Sequence, residues 1–251
     1  MQLSRTKKWA LGSGIGVVLL VAGIVIVYVA FIKSDAPPPL TLSSVASTTA
    51  PPVSAADIAS PTTTATAGAS TASATNLDGA WKITTASQVG YRVTEDLVGG
   101  LANNVAVGRT NAVTGTVTVA GTKVTAVEAT ADLTKLASDS SRRDGQVQTR
   151  ILNTSKFPTA TFKLSSPIDF ASIPAVGAEN KSKATGDLTI HGVTKRVTID
   201  VTYQLISANE IRILGTVPIV WADYDIPSPT FAGVADVRDN GAMEFLIVAT
   251  R

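Results

Sequence analysis

Beyond residue 77, hydrophobic and polar side chains alternate with a period of two. From Val193 to Tyr203 the odd positions are Val193, Lys195, Val197, Ile199, Val201 and Tyr203, and the even ones are Thr194, Arg196, Thr198, Asp200 and Thr202. Lys195 near the turn apart, one face is dry and the other wet, which predicts a strand packed on one side only. The same alternation runs through Val113, Gly115, Val117 and Val119; through Gly186, Leu188 and Ile190; and through Ile211, Ile213, Gly215, Val217 and Ile219. Trp81 with Ile83, then Val89, Tyr91 and Val93, then Thr161 to Leu164, and finally Met243 to Thr250 supply further strands. At ordinary strand lengths this makes about seven to nine strands.

Turn residues place several of them as antiparallel neighbours. Ala120-Gly121-Thr122 closes one hairpin, and His191-Gly192 sits between two strands where Gly takes φ > 0 without steric cost. One stretch reads as helical, roughly Ser140 to Ser155, with Val147 and Ile151 one turn apart and Pro158 just past its end. Hairpin-linked amphipathic strands with one short helix predict an all-β fold, a closed antiparallel barrel or a sandwich. Closure also removes the exposed edges that a secreted sheet must otherwise protect. The inward candidates are mostly Val, Ile, Ala and Gly, and in a barrel of about eight strands such side chains either fill the lumen or leave room for an apolar ligand.

The N-terminal part follows different rules. Trp9 to Ile32 carries no charge and is preceded by Arg5, Lys7 and Lys8 and followed by Lys33 and Asp35. About 20 apolar residues suffice for a helix to cross the hydrocarbon, so residues 9–32 are expected to form a transmembrane signal-anchor helix. A cleavable signal peptide has a shorter apolar core and a small-x-small site. The local candidate, Ser34 and Ala36, comes late and is followed by three prolines, so the anchor is expected to stay uncleaved. Positive residues before the span place residues 1–8 in the cytoplasm and everything after Lys33 outside, a single-pass protein of the cell membrane. Gly12 and Gly16 form a GxxxG pair that lets two helices approach, which supports at most a weak homodimer. The GxGxG spelling of the same stretch follows no strand, so it is not a dinucleotide loop.

Residues 33–76 are dominated by Thr, Ser, Ala and Pro and contain no aromatic residue. Such a segment buries too little apolar surface to offset its chain entropy and is expected to be a disordered linker. As a flexible coil it would span roughly 35 to 40 Å and lift the following domain clear of the lipid. Its Ser/Thr/Pro bias also suits O-glycosylation, on composition alone.

Composition then excludes chemistry. With no cysteine and one histidine in 251 residues, disulfide scaffolds, zinc fingers, iron–sulfur ligation and Cys/His nucleophile pairs are ruled out. Four basic residues and two acidic ones precede Leu77, leaving 17 of each sign after it. A neutral folded portion argues against nucleic acid, which needs a basic face.

Three runs stand out: Arg143-Asp144, Lys156 to Phe162, and Gly186 to Tyr203 with its LTIHGVTK core. In this order and spacing they resemble the YceI family of extracytoplasmic, lipocalin-like barrels associated with polyisoprenoid binding. Gly186 to Tyr203, GDLTIHGVTKRVTIDVTY, matches that family's central hairpin through its LTIHGVTK core. Arg143-Asp144 looks like its RD motif, and Lys156 to Phe162, KFPTATF, like its FP-x-x-x-F strand entry. Trp81 to Val93, Gly108 to Val119, and Leu214 to Ala249 with Ala222-Asp223-Tyr224 follow in the expected order. The resemblance covers almost all of residues 77–251 and implies a lipocalin-like barrel of about eight strands holding an apolar ligand. The chain departs from the pattern at Ala86-Ser87, where the family commonly has His-Ser, and in its anchor and linker.

The ligand-lining candidates come from the dry faces: Val89, Tyr91, Val117, Leu188, Ile190, Val197, Ile199, Val201, Ile213, Val217 and Phe245. All are equally compatible with packed core. Arg143 and Asp144 are candidates for a polar mouth that orients a headgroup, or for tying down the short helix by charge-assisted bonds. His191 is the single histidine, the side-chain type suited to acid–base work, but its place beside Gly192 is explained by the turn. Asp223 and Asp225 flank Tyr224 and read as exposed loop acids. Asp139 to Gly145 lacks the alternating oxygen ligands and closing Glu of a calcium loop. Asn153-Thr154-Ser155 and Asn180-Lys181-Ser182 match the N-glycosylation pattern, which matters only in a host that glycosylates there. No nucleophile, base, metal or cofactor constellation converges, so no enzyme is expected. The resulting expectation is a membrane-tethered barrel that binds or carries a polyisoprenoid or quinone-like lipid. Its rival is a solid-core interaction module whose loops, such as Ala171 to Lys183, bind a protein or cell-wall partner.

Overall fold

The computed structural model describes residues 36–45, 76–97, 101–170, 172–228 and 235–251. The expected anchor helix at residues 9–32 and residues 46–75 of the expected linker lie outside the described residues. Among the described residues no helix is long and apolar enough to cross a membrane.

The described residues contain twelve strands, more than the seven to nine expected from the alternation: β1 (Gly79–Ile83), β2 (Gln88–Leu97), β3 (Leu101–Thr110), β4 (Val113–Ala120), β5 (Lys123–Asp132), β6 (Thr159–Leu164), β7 (Ile168–Asp169), β8 (Glu179–Ile190), β9 (Val193–Ser207), β10 (Glu210–Val220), β11 (Ala235–Val237) and β12 (Asn240–Thr250). Eight of them close a ring of antiparallel pairs, β1-β4-β5-β6-β8-β9-β10-β12 and back to β1. The expected barrel of about eight strands is therefore present. β12 meets β10 along its whole length and is covered on its other side by β1 and β2 in succession, with Ile83 opposite Ala249 and Val89 opposite Phe245. At the break between β1 and β2 the Ser87 hydroxyl accepts from the Val248 N–H at 2.9 Å and donates to the Val248 carbonyl at 3.2 Å. Ser87 is fully buried there and supplies the ladder bonds that the break removes.

Both expected hairpins form. His191 and Gly192 take φ of 52° and 79° between Ile190 and Val193, the pair of left-handed residues that a type I′ turn needs. Gly121, with φ of 60°, turns β4 into β5. The expected helix is shorter than its sequence period suggests: α1 (Ser141–Gln146) is capped by Ser140 and continues as one π-turn over Val147–Ile151. Val147 is buried, and Ile151 packs against the core one turn later.

One prediction fails on residues 36–45, which belong to the expected disordered linker. They lie on the barrel and form one unit with it. Leu40 and Leu42 are buried against Leu246 and Val248, flanked by Ala86 and Leu214. The physical reason is local: within a polar Ser/Thr/Ala tract, Pro37 to Leu42 combine stiff prolines with two leucines two residues apart, enough apolar surface to dock on a preformed wall.

Candidate functional site

Period-two strands give the barrel an apolar inside, and that inside is not filled. A cavity of about 130 Å³ is walled by aliphatic and aromatic side chains from β1, β2, β4, β5, β6, β8, β9, β10 and β12, with no charged residue among its lining. Val89, Val117, Leu188, Ile199, Val201, Ile213 and Phe245 line it, as the alternation predicts. Cross-strand geometry shapes it. Phe245 faces Gly215, where any Cβ would collide with its ring, so the phenyl lies over the glycine and leaves the lumen open beside it.

Ile190, Val197 and Val217 do not line this cavity. They pack in a core cluster with Leu136, Ile151 and Tyr224. Alternation assigns a residue to a face but not to a depth. Conversely, Val113, Val119, Phe162, Tyr203, Ile211 and Met243 line the cavity without having been singled out as ligand contacts. All but Phe162 and Met243 lie on the same alternating faces, so the available signal was the rest of each dry stripe.

A second, smaller cavity of about 80 Å³ lies further along the inward face of β2. Its wall combines Tyr91, Val93, Val147, Leu152 and Trp221 with the polar residues Glu95, Arg143 and Gln146. Tyr91 is thus placed here and not in the larger cavity; it faces Gly108 across the β2–β3 pair, where a Cβ would meet its ring. The Tyr91 hydroxyl is buried and makes no hydrogen bond of normal geometry. Burial pushes the phenol above its ordinary range, opposed by the nearby Arg143 guanidinium and a contribution from Ser138 and reinforced by the charges of Asp144 and Glu95.

The two polar-mouth candidates meet at the Ser138 hydroxyl, which donates to Asp144 Oδ1 and accepts from Arg143 Nη1 at 3.4 Å. Arg143 reaches the smaller cavity, with its Nε 3.9 Å from Glu95 and its Nη1 paired to Asp139. Asp144 does not line the smaller cavity: its Oδ1 accepts from the Ser138 N–H at 2.9 Å and from the Ser138 hydroxyl at 2.6 Å, which ties down the start of α1. Glu95 also accepts from Asn104 Nδ2 at 3.0 Å.

The remaining candidates line neither cavity. The His191 ring stacks on Phe157 with centroids 4.4 Å apart, and its Nδ1 lies 3.3 Å from the Tyr224 carbonyl. Asp223 and Asp225 are exposed, and Asp225 ends the turn Trp221–Tyr224 in the left-handed region with φ of 51°. Among the described residues no group of His, Cys, Asp and Glu could hold a metal ion.

With the barrel and its lining in view, the profile of the YceI-like domain matches residues 81–249. The chain belongs to the YceI-like family. The match covers β1 to β12 and stops short of residues 36–45. A UPF0312 protein of Vibrio parahaemolyticus is 31% identical over 115 residues, covering 43% of this chain and 56% of that protein, so the aligned stretch spans little more than half of that relative. Among solved structures, a polyisoprenoid-binding domain from Saccharophagus degradans, implicated in plant cell wall breakdown, superposes with a TM-score of 0.56 at 19% identity over 68% of this chain and 97% of that one. BcnA of Burkholderia cenocepacia superposes with a TM-score of 0.52 at 23% identity over 67% and 99%. At these identities the two structures establish a shared fold.

Proposed function

We propose that the barrel binds or carries one apolar lipid of the polyisoprenoid or quinone-like kind, without covalent chemistry. The observation that carries this reading is the uncharged, aliphatic wall of the 130 Å³ cavity. The polyisoprenoid-binding relative from Saccharophagus degradans supports the same ligand class. Binding draws on the transfer of apolar surface from water, at about 25 cal/mol per Å². An apolar cavity of about 150 Å³ holds benzene, so the lumen as it stands takes roughly one isoprene unit. A longer chain must part the side chains around it, and Met243 is the adaptable one among them. The polar end of the ligand would lie in the smaller cavity, where the Tyr91 hydroxyl and the Arg143 guanidinium face a carbonyl, hydroxyl or phosphate oxygen. We extend the reading to location on the sequence alone: residues 9–32 would anchor the chain in the cell membrane, with the barrel on the extracytoplasmic side.

The test is retention of radiolabelled geranylgeraniol by the full chain after gel filtration, compared with Ile199→Asp. An unpaired carboxylate and an apolar ligand cannot share that space cheaply, so retention should fall at least tenfold. Ala184→Leu fills the same lumen without a charge and serves if the first variant does not fold. Full retention by folded variants of both kinds would contradict the reading.

A further inference from the structure

We propose that the outer wall formed by β2, β3, β10 and β12 is a docking site for a proline-leucine peptide, occupied by residues 37–42 of the same chain as a clasp. The site lies on the opposite face of β12 from the lumen and owes nothing to the lipid reading.

Three features of the wall point to a peptide. Leu246 and Val248 face outward on β12, yet both are buried, because Leu40 and Leu42 close over them. Successive residues of an extended segment point to opposite sides, so leucines two apart present one apolar edge, and exposed Thr41 lies between them. Prolines lack the N–H and leave only carbonyls to be bonded, and the wall supplies donors that match. Arg92 Nη2 donates to the Pro37 carbonyl at 2.7 Å, Arg109 Nη2 to the Pro38 carbonyl at 2.6 Å, and Arg212 Nη1 to the Leu42 carbonyl at 3.0 Å.

The donors are themselves held. Glu244, an acid almost fully buried on the outer face, accepts from Arg92 Nε at 3.2 Å and from Arg109 Nε at 2.8 Å. That arrangement aims two guanidinium groups at consecutive proline carbonyls. The segment then ends in a tight turn, where the Ser44 N–H donates to the Thr41 carbonyl and Ser44 Oγ accepts from the Thr41 N–H, both at 2.9 Å.

A segment on the same chain reaches an effective concentration of order millimolar, falling with intervening length, so it outcompetes a free peptide of the same sequence.

The experiment uses the full chain, which has no cysteine of its own. Spin labels at Thr41→Cys and Thr216→Cys, both exposed positions, read the distance from clasp to β10. The expected result is one narrow distribution that broadens in Leu40→Asp/Leu42→Asp. The peptide APPPLTLSSV, residues 36–45, should bind that variant saturably and the unmodified chain at least tenfold more weakly. A replacement of residues 37–42 by Gly-Ser serves if the double variant misfolds. Retention of geranylgeraniol by the clasp variants should match the unmodified chain, which separates this proposal from the lipid reading. A broad distribution in the unmodified chain, or no peptide binding to either clasp variant, would overturn it. So would a narrow distance that arises only on mixing chains carrying one label each, since the occupant would then be a second copy.

Discussion

The two faces of β12 solve the same problem differently. Inward, Met243, Phe245 and Ile247 border a space that the protein's own side chains leave empty. Outward, Glu244, Leu246 and Val248 lie under a segment more than 190 residues earlier in the chain, and little is left exposed. Apolar surface that belongs to the structure alone is covered by the chain itself. Apolar surface left uncovered inside a closed barrel is stable only because water cannot profit from entering a dry cavity, and it remains available to a ligand.

The largest expected effect falls on the covered face. Glu244→Ala removes the acid shared by Arg92 and Arg109 and should cost about 3 to 5 kcal/mol in urea unfolding of the full chain. Leu246→Ala, at a fully buried position, should cost about 3 kcal/mol by the same measurement. A loss below about 1 kcal/mol for either would mean that the segment over β12 contributes little.

The open face should respond in the other sense. Ala184→Leu places extra methyl groups into existing space, so stability should change by less than about 1 kcal/mol while lipid retention falls. A loss like that of Leu246→Ala would show that the lumen is already filled. Tyr91→Phe has the smallest effect: deleting a buried hydroxyl that lacks a hydrogen bond should stabilise by up to about 1 kcal/mol. Because burial raises the folded phenol's pKa, the unfolded chain loses that proton first, and the stability tied to Tyr91 drains away as pH climbs past the ordinary tyrosine value. The advantage of Tyr91→Phe should therefore grow above about pH 10, where its denaturation midpoints can be compared with those of the unmodified chain.

How far these features could be read in advance depended on periodicity. Val193 to Tyr203 alternates cleanly because β9 has one wet face, and there both the strand and its dry side were legible. Met243 to Thr250 was legible as a strand, but its near-continuous apolar run also meant that both faces are covered, and that second meaning needed the partner segment to be recognised. Residues 36–45 were hidden by their neighbours: in a long Ser/Thr/Ala/Pro tract, two leucines and three prolines carry too little weight to signal docking. Within the lumen, the face was readable and the depth was not. Ile190 and Ile199 look alike along the sequence, yet of the two only Ile199 borders the cavity. The meeting of Arg143 and Asp144 on Ser138, a few residues earlier in the chain, is a contact no motif names.

The central claim is that the barrel's empty apolar interior is a lipid site. It is tested most directly by native mass spectrometry of the full chain released from mild detergent, followed by organic extraction of whatever dissociates. The account predicts a stoichiometric adduct of isoprenoid or quinone-like mass that is absent in Ile199→Asp. A clean protein mass, unchanged after incubation with geranylgeraniol, would contradict it.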